Sequence, residues 1–326
     1  MKGKIVSMVG VLILVGVCRV EAQQPGKMPR IGYLSGASQD ASGSLLMGFR
    51  QGLRDHGYTE GTNIIVEYRF GEGKVDRIPG LVAELVQLNV DAIVINNFSA
   101  ILAAKQATKA IPIIMVTTQD PVAGGVIDSL ARPGGNITGL TRLTYDSGGK
   151  RLEVLKELVP TISRVGFLIS EDRMGGVDLK DYEPTARSLK LQLQPLVVRG
   201  PNPDLEEAFQ AAGKGKVNAL MAGRGPVLNN YKKQIADLAI KNRLPAMTEG
   251  SDFVEAGALA SYAANDADSS RRAVDYLDKI LKGAKPADLP VEKASKFELV
   301  INLKTAQQIG VNIPEAMLKR ADRVIK

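Results

Sequence analysis

The segment RIGYLS (30–35) returns later as RVGFLIS (164–170), and the order of elements after each copy is the same. Each is a short apolar run, the length of a buried strand, followed by a stretch with helical periodicity and then by another short apolar run. In the first half the runs are 30–35, 63–70, 91–96 and 111–118; in the second they are 164–170, 191–198, 217–223 and 244–249. Strands that are apolar throughout must be covered on both faces, and strands alternating with helices must run parallel. The pattern predicts an α/β chain built as two Rossmann-like, doubly wound parallel-sheet lobes.

The intervening helices are legible in the same way. Leu45, Leu46, Phe49 and Leu53 share one face, and Gly57 ends their helix. Further helices are expected over 77–89, from Ser99, over 178–190 and 203–213, and after Pro226. Asp120-Pro121 reads as cap and first position of a short helix. Beyond ALASYAAND (258–266) come a strong helix (266–283), a strand (297–303), and helices opened by Lys304-Thr305 and by Pro314. Between the halves lies LTRLTYDS (140–147). Because the tail passes between the lobes again, a hinge of several strands is expected.

The first residues stand apart. Lys2 and Lys4 precede a mostly apolar run over 5–17, and Val20-Glu21-Ala22 ends in small residues. That is the layout of a cleaved secretory signal over 1–22, too short to span a bilayer. Lipid attachment at Cys18 is the alternative, disfavoured by the bulk of Val17. Loss of Lys2, Lys4, Arg19 and Glu21 would take the net charge from +7 to about +5. Such a mild basic excess, with no stripe interleaved with aromatics, argues against nucleic acid as a partner. Removal of the only cysteine would rule out disulfides, thiolate metal sites and cysteine nucleophiles.

Ligands of open parallel sheets bind beyond the carboxyl ends of the strands. Those ends carry SGASQDASG (35–43), NNFS (96–99), TTQDP (117–121), SEDRMGG (170–176), GRGP (223–226) and EGSD (249–252). The candidate ligand-binding residues are Ser35, Gly36, Asn97, Phe98, Ser99, Thr118, Asp120, Thr141, Arg224, Glu249 and Tyr262. Asp120 suits a cation and Arg224 an anion; Phe98 suits an apolar or planar group. Each also has a plain structural reading. Ser99 and Asp120 are good helix caps, Phe98 can close the core, Arg224 can be a solvated loop charge, and Asp172 and Arg173 can form a surface ion pair.

Catalysis has little support. The single histidine, His56, sits at a helix end beside Gly57, where interaction with free carbonyls is expected. No His/Cys cluster suggests a metal. GEGKVD (71–76) lacks the spacing of a phosphate loop.

RIGYLS, GLRDHGYTEGTNIIVEYRFGEG, AAKQATKAIPIIMV, DPVAGGVIDSLARPGGNITGLT, GKRLEVLKELVP and KPADLPVEKASKFELVINLKTAQQIGVNIPEAMLKRADRVI together resemble one family. It is that of bacterial ABC-transporter substrate-binding proteins related to tryptophan- and tyrosine-binding proteins, over residues 29–326. The resemblance implies a type I periplasmic binding protein with three hinge crossovers. One lobe would hold 29–142 plus about 266–290, the other 143–265 plus about 291–326. It implies a periplasmic monomer without cofactor or enzymatic activity. An amino acid, aromatic or otherwise, or a related carboxylate would be clamped by domain closure and passed to an inner-membrane ABC permease. A sensor subunit for a membrane signalling protein and a cleft hydrolase are the alternatives.

The chain departs from the family pattern where Asn97-Phe98-Ser99-Ala100 replaces a Gly-Thr-Pro-Ala type sequence, at Gln119, at Arg224, and at Ser261-Tyr262-Ala263-Ala264-Asn265. These positions lie in loops that would line the cleft, so they bear on ligand identity and not on fold.

Overall fold

The computed structural model describes residues 28–142, 148–171, 179, 182–294 and 296–326. The expected signal segment, Cys18, and the Asp172–Arg173 pair lie outside the described residues.

Two sheets form. The first has the strand order β2-β1-β3-β4-β5-β11, from β1 (Arg30–Ser35), β2 (Ile65–Phe70), β3 (Ala92–Ile95), β4 (Ile113–Thr117), β5 (Ile137–Thr141) and β11 (Glu292–Lys293), all paired in parallel. The second has the order β7-β6-β8-β9-β10-β12-β13. Its strands are β6 (Arg164–Ser170), β7 (Gln192–Val198), β8 (Ala219–Ala222), β9 (Ala246–Thr248), β10 (Ala260–Ala264), β12 (Phe297–Asn302) and β13 (Arg323–Ile325). The first five strands of each half thus take the same spatial order, in keeping with the repeat in the sequence.

The second sheet is not purely parallel, because β12 pairs antiparallel with β10. It enters from the first sheet rather than through a helical crossover, so the parallel constraint does not apply to it.

Alternation along the central strands sends side chains to two cores. Ile93, Ile95, Ile113 and Met115 pack with α2 (Ile78–Gln87) and α3 (Phe98–Ala107). Ala92, Val94, Ile114 and Val116 pack with α1 (Gly43–Asp55) and α10 (Asp266–Leu281). The second sheet is covered likewise. One face carries α4 (Gly148–Leu158), α5 (Glu183–Ser188), α11 (Leu303–Ile309) and α12 (Glu315–Arg320). The other carries α6 (Leu205–Lys214), α8 (Lys232–Lys241) and α9 (Ser251–Glu255). Short α7 (Pro226–Asn230) follows β8.

The chain passes between the sheets three times: after β5, between β10 and α10, and between β11 and β12. The third crossing comes later than about 290, since Glu292 and Lys293 still pair with β5. Strand β5 and helix α4 were not distinguished in the sequence, because ITGLTRLTYDS is polar enough to read as a linker. Two Thr side chains of β5 are nonetheless fully buried, Thr138 by donating to the Leu289 carbonyl and Thr141 by donating to that of Gln119. His56 likewise differs from expectation. Its ring pairs with Asp275 (2.7 Å) and Asp278 (3.5 Å), tying the end of α1 to α10 instead of meeting free carbonyls.

Helices α1 and α10 approach backbone to backbone. A Cβ on Gly48 would lie 2.1 Å from the Ala267 carbonyl oxygen, and one on Gly52 would lie 2.6 Å from that of Arg271. This contact fixes the start of α10, which immediately follows the second crossing. Gly48→Ala is expected to destabilise the protein by about 1–3 kcal/mol through overpacking. Gly43→Ala, at an exposed helical position with no atom within 4 Å of the new methyl group, is the control. It should be neutral or stabilising by roughly 0.4–1 kcal/mol. Urea unfolding of both variants provides the comparison.

Candidate functional site

A cavity of about 330 Å³ lies at the carboxyl ends of β1, β3, β4 and β8, between the two lobes. The first lobe contributes Ser35, Gly36, Ala37, Ala41, Ser42, Leu45, Val75, Asn96, Asn97, Phe98, Ser99, Leu102, Thr118, Gln119 and Arg142; the second contributes Arg224, Gly225 and Asn229. Seven of the residues expected from the sequence therefore share one cavity: Ser35, Gly36, Asn97, Phe98, Ser99, Thr118 and Arg224. Asp120, Thr141, Glu249 and Tyr262 do not line it.

The polar wall is built from engaged groups. Ser42 donates its hydroxyl to the Ser38 carbonyl (2.8 Å), so the short 2.7 Å contact with Ser35 has Ser35 as donor. Ser35 keeps acceptor capacity, partly used by the Ala37 N–H at 3.3 Å. Asn96 donates to the Tyr33 hydroxyl (3.0 Å), a group pushed well above the usual phenol range by burial. Asn97, rather than Ser99, caps α3. Its side-chain oxygen accepts from the Ala100 N–H at 2.9 Å, and the Ser99 hydroxyl donates to that same oxygen at 2.6 Å. Ser99 is the second residue of the helix, two past the cap position. Phe98 and Leu102, four residues apart, form an apolar wall on the same helix face.

Asp120 takes the structural role. No helix follows it; one carboxylate oxygen accepts from the N–H groups of Val122 (2.8 Å) and Ala123 (3.1 Å), closing a turn. Thr141 is spent on the Gln119 carbonyl. Tyr262 stacks on Phe297 with ring centroids 5.7 Å apart, across the β10–β12 pair. Glu249 is buried, bonded to fully buried Arg151 of α4 (3.1 Å), and accepts the Arg224 backbone N–H at 3.2 Å.

Arg224 is not a solvated loop charge: it is 4% exposed. Its guanidinium bonds to Asp266, the first residue of α10, and lies 3.5 Å from Asp252. Asp252 also meets Lys232 at 3.3 Å. The second oxygen of Asp266 is bonded by Arg142, which follows β5. Asp266 and Arg142 belong to the first lobe and Arg224 to the second, so this chain of charges crosses the cleft. A second bridge is the Ser38 N–H donating to Asn230 (3.1 Å). The lobes are thus held in a closed arrangement.

Arg142 and Asp266 were missed in the sequence. The available signals were an arginine inside the otherwise uncharged GLTRLT and an aspartate at the first position of a helix, where it is expected anyway for the helix dipole. Asp266→Ala leaves two buried guanidinium groups without their shared carboxylate and should cost about 3–5 kcal/mol. Denaturant unfolding at neutral pH measures this, and Asp266→Asn should fall between the two.

Among the described residues, no helix is long and apolar enough to cross a membrane, and no group of three or more His, Cys, Asp or Glu is placed to hold a metal. The family model described as ABC transporter substrate binding protein matches residues 31–325. A tyrosine-binding protein from Clostridioides difficile (strain R20291) is 27% identical over 270 residues, covering 81% of this chain and 76% of the relative. A Streptococcus pneumoniae structure described as an ABC domain in complex with L-Trp superimposes with a TM-score of 0.82 at 26% identity, covering 92% of this chain and all of that one. A conserved domain protein from Vibrio cholerae gives 0.83 at 26% identity, covering 91% and 100%. The chain belongs to the ABC transporter substrate-binding protein family, as a solute-binding receptor with the type I periplasmic binding protein fold.

Proposed function

We propose that this receptor serves an ABC importer, binding a small amphipathic amino acid or related carboxylate between its lobes and presenting it to a membrane permease from outside the cytoplasm. The observation that carries this is the composition of the cavity wall. Phe98, Leu102, Leu45 and Val75 offer apolar surface, while Arg142, Arg224, Asn96, Asn229 and the serines offer polar groups. About 330 Å³ suits a solute of amino-acid size, at the small end of ligand sites. The ring of Phe98 favours a flat apolar side chain, and the two relatives described as binding tyrosine and L-Trp support that choice.

The mechanism is selection of the closed form. Walls from both lobes meet the solute only when the cleft is shut, so binding shifts the population toward closure. That one chain supplies cavity walls from both lobes supports action as a monomer.

A thermal-shift panel of aromatic, aliphatic and acidic amino acids and simple carboxylates tests the assignment. A true solute at about 100 times its Kd adds roughly 2.7 kcal/mol, a rise in Tm of roughly 5–10 °C. A panel in which no class raises Tm overturns the assignment. Phe98→Ala should weaken an aromatic solute by about 0.5–1.5 kcal/mol beyond what lost contact area explains, read by calorimetry.

A further inference from the structure

The turn after β4 backs the apolar wall of the cavity. Phe98 lies with its ring edge on Gly124: a Cβ there would be 2.2 Å from the ring's Cζ and 3.1 Å from its Cε1. Ordinary contact is 3.4–4 Å, so a methyl group at this position requires more than an ångström of movement. Gly124 is not in the left-handed region, unlike its neighbour Gly125 at φ +65°. The backbone at 124 would therefore accept alanine, and space alone excludes it.

The turn itself has little freedom to yield. Asp120 binds the N–H groups of Val122 and Ala123. The Gly124 N–H donates to the Asp120 carbonyl (3.0 Å), and the Val126 N–H to that of Pro121 (2.8 Å). Lys105, one α3 turn beyond Leu102, donates to the Gly125 carbonyl at 2.6 Å. The main chain of Phe98 is held by the Asn97 cap. Between a braced turn and a capped helix, the ring is the part that moves, and its open side is the cavity it lines.

We infer that Gly124 is a positioning residue for solute selection: by leaving room for the Phe98 ring, it sets how large an apolar group the cavity accepts. Asp120 serves the same end by bracing the turn. This rests on the amphipathic amino-acid reading above. It goes beyond that reading by placing the size limit outside the cavity lining, in residues that never touch the solute.

The test measures affinities of the full-length receptor for L-valine, L-phenylalanine and L-tryptophan by calorimetry. Gly124→Ala pushes the ring inward, so the penalty should grow with side-chain size. We expect about tenfold or greater loss for tryptophan and less than about threefold for valine, within the usual cost of overpacking. In a Phe98→Leu background, where no ring lies on Gly124, Gly124→Ala should leave the tryptophan-to-valine ratio as it is in Phe98→Leu alone. Phe98→Leu alone loses the ring's contact with an aromatic solute and is the reference for that pair.

Asp120→Asn keeps the accepting oxygen and should leave the ratio unchanged, whereas Asp120→Ala should shift it. Equal loss for all three probes in Gly124→Ala, with a lower Tm, overturns the inference and leaves a merely structural glycine. So does a Gly124→Ala shift of equal size in the Phe98→Leu background or, if Gly124→Ala does not fold, an unchanged ratio in Asp120→Ala. If the unsubstituted receptor binds none of the probes, the amino-acid reading itself falls, and the inference with it. Selective binding by wild type with no change of ratio in Gly124→Ala and Asp120→Ala sinks the inference alone.

Discussion

The carboxylate of Asp266 holds two arginines from opposite sides of the cleft, and the closed molecule is organised around it. Arg142 leaves the first sheet at the first crossing, Asp266 opens α10 at the second, and Arg224 comes from the end of β8. All three are at most 6% exposed. Removing such charges from water costs several kcal/mol each, and only close, well-directed pairing offsets it. The position of Asp266 is therefore constrained from behind, by α10 lying against α1 where Gly48 and Gly52 let the two backbones meet. A helix contact that does not itself line the cavity thus bears on whether the charges beside it can pair.

The same arrangement makes closure a balanced event. On opening, Arg224 would separate from Asp266 and regain water while keeping Asp252, which lies in its own lobe; on closure it exchanges that water for the Asp266 carboxylate. Desolvation and pairing oppose each other, so the net difference between the forms is small compared with either term. A small difference is what a receptor requires. A solute can shift the population only by its differential affinity for the two forms, and going from 1:99 to 99:1 takes about 5.5 kcal/mol. A strongly biased latch would leave that beyond the reach of a single amino acid.

The architecture was legible because it rests on periodicity. RIGYLS and RVGFLIS end at the residues expected, and the strand order is the same in both halves. Strand β5 is not legible in the sequence because its buried threonines resemble linker residues until their carbonyl partners are known. The site was legible only as a location. Strand ends converge in any such fold, so Ser35, Asn97, Phe98 and Arg224 could be placed near a ligand. Their roles were not legible, because a role depends on which partner lies within about 3 Å. Asp120 was expected to meet a cation and meets two backbone N–H groups. Arg224 was expected to await an anion, and an aspartate 42 residues away in the chain occupies it.

Most of the polar residues at the strand ends turn out to satisfy the protein. Ser42 goes to a carbonyl, Asn97 to a helix start, Thr141 to a loop and Glu249 to Arg151. Buried polar groups need partners whether or not a solute is present, and loops at a cleft supply them from within. The cavity is consequently rigid at its polar wall, since moving any one group there orphans another. Adaptation to a new solute is cheapest where no hydrogen bond is at stake. In this cleft that is the apolar wall of Phe98 and Leu102, a surface held by packing alone. A family built on one scaffold can therefore change what it binds by altering side-chain volume at and behind that wall, leaving the charged frame around Asp266 intact.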